Sequence, residues 1–179
     1  MGISNAVSGG IMMITMVYVM LTIPGMLDRD AAMSNTIAQR ARSDDAELKT
    51  GISITSISLV PGGSAISVEL ANDGSTKLWE YSKFTVIAAY DANVTGNRAR
   101  TTEELEYGGI SATPAQAGQW VISSFDSSMD SYVDPQVVNP GEQFTIKLKP
   151  QNPIYASSPS AYITVSTQNG VTASKGGTL

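Results

Sequence analysis

Residues 1–27 read MGISNAVSGGIMMITMVYVMLTIPGML, and none of their side chains carries a charge. The first charged residue is Asp28. From Gly9 to Leu27 the chain is predominantly apolar, and as a helix these residues span roughly 28 Å, close to the ~30 Å hydrocarbon core of a bilayer. Two alternatives compete. A cleaved signal peptide wants Lys or Arg at the very start, a shorter apolar run and a small-x-small cleavage site. None precedes Arg29 and no such site closes the run. A buried helix of a soluble core remains open, because the segment is apolar on all faces.

The helical pattern continues past the apolar run. Asp28 to Leu48 contains no Gly and no Pro. Leu27, Ala31, Ser34, Ile37, Ala38 and Ala41 fall mostly three and four apart, which makes an amphipathic helix with small residues on its packing face. Lys49, Thr50 and Gly51 form a stop signal, a cation in the last turn and then a glycine. One helix of about 45 residues, roughly 65 Å long, is therefore expected. Pro24 removes a backbone hydrogen bond, so a kink or local unwinding is expected there. Gly9 and Gly10 either weaken the helix or allow close helix–helix approach.

After Gly51 the period changes from 3.6 to 2. Expected strands run over 52–59, 65–70, 83–90, 119–125, 143–148, 162–166 and 171–174, with 103–107 pairing weakly at an edge and 91–100 forming a polar loop. Asn72-Asp73-Gly74 and Asn169-Gly170 are turn signals. Seven or eight short strands in about 125 residues predict an antiparallel β-sandwich of immunoglobulin-like type. The fold class is therefore α+β: a long N-terminal hydrophobic helix, residues 1–49, then a β-sandwich domain, residues 50–179. Trp79, Phe84, Trp120, Phe125, Phe144 and Tyr162 are the expected core anchors.

Composition narrows the chemistry. The chain has no Cys and no His. That excludes disulfides, thiolate or imidazole metal sites and a Ser-His-Asp triad. The net charge of −5 divides into −1 for residues 1–49 and −4 for the remainder. Without a basic patch, nucleic-acid binding is not expected. Glu103, Glu104 and Glu106 form an acidic cluster that reads best as a solvated loop. Asp126, Asp130 and Asp134 recur every four residues, but the order of ligands and glycine in a calcium loop is missing. No glycine-rich phosphate loop opens a helix. No catalytic activity, cofactor or metal is expected. Asn93-Val94-Thr95 fits the N-glycosylation acceptor pattern and makes Asn93 a glycosylation candidate.

Several stretches carry a resemblance, in their order along the chain. They are Met1-Gly-Ile-Ser4 with the Ser8-Gly9 step, Glu47-Leu-Lys-Thr-Gly-Ile-Ser-Ile-Thr-Ser56 and Ala71-Asn-Asp-Gly-Ser-Thr-Lys-Leu78. Val138-Asn-Pro-Gly-Glu142 and Gln168-Asn-Gly-Val171 complete the set. With a single apolar helix ahead of a β-sandwich, the chain resembles the archaeal type IV pilin-like family, the archaellins and the accessory proteins FlaF and FlaG. The resemblance implies a helix that lies first in the membrane and then in the core of a helical filament of identical subunits, with the β domain outside the cell. Ile11, Met12, Ile14, Val17, Tyr18, Leu21, Ile23 and Pro24 would be the filament-core residues. In the family, filament subunits are made with a short basic leader. No Lys or Arg precedes the helix here, which fits either a mature chain or an accessory member. Asn5 stands where bacterial pilins carry a glutamate.

The expected function is thus a structural subunit of an archaeal surface filament, serving motility or adhesion. The alternative is a membrane-anchored stator of FlaF or FlaG type whose β domain binds the surface-layer protein.

Overall fold

The computed structural model describes residues 3–60, 64–126, 136–157 and 159–179. The chain divides into two compact units, residues 1–44 and 45–179. The last turn of the helix, Asp45 to Lys49, thus belongs with the β unit by its contacts, five residues earlier than the change of periodicity suggests.

Helix α1 runs unbroken from Ile3 to Lys49 with Pro24 inside it. The local unwinding expected at Pro24 does not occur. Proline leaves only the carbonyl four residues back, that of Met20, without its helical partner, while the flanking ladder continues. Thr15 and Thr22 donate their hydroxyls to the carbonyls of Ile11 (2.8 Å) and Tyr18 (2.9 Å). Both hydroxyls are satisfied within the helix, as an apolar environment requires.

The β unit contains β1 (Ser53–Leu59), β2 (Ile66–Ala71), β3 (Thr85–Val94), β4 (Asn97–Ile110), β5 (Gln119–Asp126), β6 (Gln143–Lys149), β7 (Ser160–Ser166) and β8 (Thr172–Thr178). They pair in the order β1-β2-β6-β5-β4-β3-β7-β8. A 3-10 turn, Tyr81–Lys83, precedes β3. At the two ends of this order, Lys175 of β8 donates its Nζ to the carbonyl of Thr55 in β1, which brings the outer strands together into a near-closed sandwich.

Alternation places one apolar row per strand inside. In register across β2 and β6, Ile66 faces Leu148, Val68 faces Ile146 and Leu70 faces Phe144. All six are buried, together with Trp120 and Ile122 of β5, Val86 and Tyr90 of β3, and Ile163 and Val165 of β7. Tyr81 packs its ring against Phe84, Phe125 and Phe144 at centroid distances of 5.6 to 6.1 Å. Two of the six expected anchors face outward instead. Trp79 is 61% exposed and Tyr162 is 48% exposed. Tyr162 lies on the outward row of β7 and covers Gly176 of β8, where a Cβ would come within 3.0 Å of its ring.

Two features depart from the expected strand set. The segment 91–100 is not a loop: it forms the end of β3, a two-residue turn and the start of β4. The supposed weak edge at 103–107 is the middle of β4, a 14-residue strand. Up to Leu105, β4 pairs antiparallel with β3; from Glu106 it runs parallel to β5. Gly109, at φ +93°, sits in the register shift between Tyr107 and Ile110. The sandwich is therefore antiparallel except for this one pair, and β4 joins its two halves.

Candidate assembly surfaces

Three regions could carry function: the surface of α1, the joint where α1 enters the β unit, and the pole of the β unit opposite that joint.

On α1 the described apolar residues are exposed. Ile11 is 63% exposed and Leu21 76%. Met12, Ile14, Val17, Tyr18 and Ile23 are exposed as well. All but Val17 fall into two seams with alternating spacings of three and four, the spacing of helices packed side by side. One holds Ile11, Ile14, Tyr18 and Leu21. The other holds Met12, Met16, Val19, Ile23 and Met26. With Asp30 interrupting, that second seam continues to Met33 and Ile37, beyond the first charged residues, and both are exposed. Among the described residues one helix is long and apolar enough to cross a membrane.

At the joint, the stretches 47–56, 71–78, 138–142 and 168–171 converge on the last turn of α1. The backbone N–H of Thr50 is shared by the carbonyls of Ala46 and Glu47, both at 3.1 Å, and its hydroxyl donates to Ala46 O at 2.7 Å. The carbonyl of Lys49 accepts from the N–H groups of Ser75 (2.7 Å) and Thr76 (3.2 Å). The carbonyls left over at a helix end are thus capped by a β turn. Asn72, fully buried, holds that turn in shape. Its Oδ1 accepts from Gly74 N at 3.1 Å, and its Nδ2 donates to Thr76 O at 2.8 Å and Val138 O at 3.1 Å. Glu142, also buried, accepts from Asn139 N at 2.7 Å. Asn169 Nδ2 donates to Thr50 Oγ1 at 2.7 Å.

Gly51 and Gly74 stand back to back here. A Cβ on Gly51 would overlap Asp73 Oδ1 and Gly74 N, and one on Gly74 would overlap Gly51 N and Lys49 O. Gly51 is needed for this close approach, not for the left-handed helix cap that its place after Lys49 suggests.

β3 leads away from the joint to the opposite pole. There Asp91 is buried, and four donors converge on its carboxylate. Oδ2 accepts from Arg98 Nη2, Ser160 N and Ser160 Oγ, each at 2.7 Å, and Oδ1 from Arg100 Nη1 at 3.4 Å. The Arg98 guanidinium lies 5.9 Å from the centre of the Tyr155 ring. The hydrogen bond from Arg98, supported by those from Ser160, holds the Asp91 carboxyl well below the usual carboxylate range against the cost of burial. Sequence reasoning missed this node, because a buried aspartate inside a polar decapeptide leaves no periodic signal.

Beyond Asp91, Asn93 is exposed. Its Oδ1 accepts from Gly96 N at 2.9 Å, and its own N–H donates to Pro153 O at 2.8 Å. Glu103, Glu104 and Glu106 do not form one site. Glu104 and Glu106 lie on the exposed row of β4, whereas Glu103 lies on the other row and accepts from Gln151 N at 2.9 Å. Of the three spaced aspartates, Asp130 and Asp134 lie outside the described residues. Among the described residues no three acidic groups gather as a metal site would require.

A model of the conserved flagellar protein F immunoglobulin-like domain (FlaF) matches residues 48–177. The chain belongs to the FlaF family. It is therefore an archaellum-associated protein, and the family is one of structural components without known catalysis. Among curated proteins no relative matches. The archaeal flagellum of Methanospirillum hungatei strain JF1 is similar in fold at 13% identity, with a TM-score of 0.56 over 97% of this chain and 92% of that one. The archaellum periplasmic stator protein FlaG from Sulfolobus acidocaldarius aligns at 17% identity and TM-score 0.48 over 72% of this chain and 99% of that one. The stator complex of FlaF and FlaG from the same organism aligns at 16% identity and TM-score 0.49, over 70% of this chain and 87% of that one. Apart from Glu47, the four convergent stretches at the end of α1 fall within the residues that the FlaF model matches.

Proposed function

We propose that this chain is a membrane-anchored archaellum component of stator type, with α1 in the membrane and the β domain outside the cell gripping the surface layer. The observation that carries this is the FlaF match over 48–177, which covers the β domain and leaves the apolar run of α1 ahead of it. A stator must pass load from an immobile layer to its anchor. That load crosses Lys49 to Gly51, where the helix end is tied by the hydrogen bonds of Thr50, Ser75, Thr76 and Asn169. Ile11, Met12, Ile14, Val17, Tyr18, Leu21 and Ile23 would then face lipid or neighbouring helices.

A second reading, a filament subunit assembled with copies of itself through α1, is favoured by one feature. The seam that reaches Met33 and Ile37 leaves apolar side chains on the polar side of Asp28, where lipid cannot cover them and a packed helix can. An accessory protein that associates with other helices meets the same need.

The test is complementation. In cells lacking the protein, the full chain restores swimming, and a version with Leu21→Arg does not and is shed from the membrane fraction. Recovery of the wild-type protein within detached filaments as a major component would overturn the stator reading in favour of the subunit.

A further inference from the structure

The acceptor tripeptide Asn93-Val94-Thr95 lies at the pole of the β unit opposite the entry of α1. The structure joins β3 to β4 by a two-residue loop, Thr95-Gly96, with φ of 52° and 86°. Positive φ at both central positions defines a type I′ turn, whose preferred sequence is Asn-Gly. Gly96 meets that preference and Thr95 does not. A β-branched residue is sterically disfavoured in the left-handed region, where Asn and Asp are tolerated. Among the described residues no contact accounts for Thr95 at this position: the residue is exposed, and its hydroxyl donates to the carbonyl of the adjacent Val94. A residue that breaks the local rule without a packing gain marks a functional constraint.

The geometry around Asn93 fits that constraint. Its side-chain oxygen is used by Gly96 N, which fixes the amide on the outside of the turn. Its Nδ2 has no hydrogen-bond partner among the described residues, and the residue is exposed. We propose that Asn93 is an N-glycosylation site in the native protein, and that Thr95 is kept in an unfavourable conformation because the acceptor pattern requires a hydroxyl residue two positions on. The donor is a glycan linked through phosphate to a polyisoprenoid lipid. A bond forms between Asn93 Nδ2 and the anomeric carbon of the first sugar. The bond from that carbon to the phosphate oxygen breaks. The lipid phosphate leaves with its electron pair, and the amide proton passes to a base of the transferase. A glycan there would sheathe the distal pole of the domain, over the Asp91 and Arg98 node, and leave the helix joint clear.

The proposal rests on the β domain lying outside the cell, so two measurements are made on the full chain from its native cells. Protease added to intact cells reports exposure of the β domain. Mass spectrometry of the tryptic peptide 84–98 reports modification. The expected result is digestion of the domain in intact cells and a peptide heavier by one or more sugars. That mass is lost in Thr95→Ala and Thr95→Asn and kept in Thr95→Ser. In the same preparations made without glycosylation, Thr95→Asn melts about 3 °C higher than wild type, because the turn regains its preferred residue. An exposed domain whose peptide 84–98 is wholly unmodified overturns the glycan and leaves the location standing. A domain shielded from protease overturns both.

Discussion

Gly51 and Gly74 approach so closely that neither has room for a methyl group. The contact brings Ser75 and Thr76 within reach of the last carbonyl of the helix. Gly74→Ala is expected to lower stability by about 2–3 kcal/mol, since a backbone collision cannot be relieved by a side-chain rotation. Chemical denaturation of the full chain in detergent, monitored by tryptophan fluorescence, measures it. Asp91 gives a prediction of the opposite kind. Its folded-state pKa is depressed, so its contribution is present above the unfolded value, near 3.8, and is lost as pH falls through the folded pKa. Asp91→Asn should cost about 2 kcal/mol at pH 7, and the gap to wild type should narrow progressively once the pH drops below about 4. A gap that stays constant down to pH 2 would refute the assignment. Neither residue's role is legible from the chain alone. Gly74 reads as an ordinary turn glycine and Asp91 as part of a solvated loop, because the close approach and the burial are both made by segments distant in sequence.

At the scale of elements, α1 was the most legible, since its signal is length and uniform apolarity and needs no partner to be read. The strands with strict alternation, β2, β6 and β7, were legible for the same reason. β4 was not. Its residues Asn97-Arg98-Ala99-Arg100 offer no apolar row, and its exchange of partner at Leu105 and Glu106 is a pairing with β5 that leaves no trace in the pattern of β4 itself. The outward position of Tyr162 is explained by Gly176 beside it on β8, a neighbour fixed only by strand pairing. The seam through Met33 and Ile37 carries its own prediction. Ile37→Asp should leave the unfolding of the β unit unchanged, within about 0.5 kcal/mol, because the residue is exposed and belongs to the other compact unit. It should also reduce chemical cross-linking of α1 to neighbouring helices in native membranes. Unchanged cross-linking would show that the seam is unoccupied.

For the whole molecule, the absence of Cys and His, the 27 neutral residues at one end and the −4 charge of the remainder suit a protein that anchors and packs. The two units divide that work, with an apolar helix in 1–44 and a FlaF-type domain in 45–179 whose own last helical turn, Asp45 to Lys49, is built into it. On the proposed stator reading, this arrangement holds the archaellum to the cell surface and does not form its shaft. Electron microscopy of cells lacking the protein, combined with tracking of their swimming, tests it most directly. Filaments of normal length on cells that do not swim are the predicted result, and cells without filaments would contradict it.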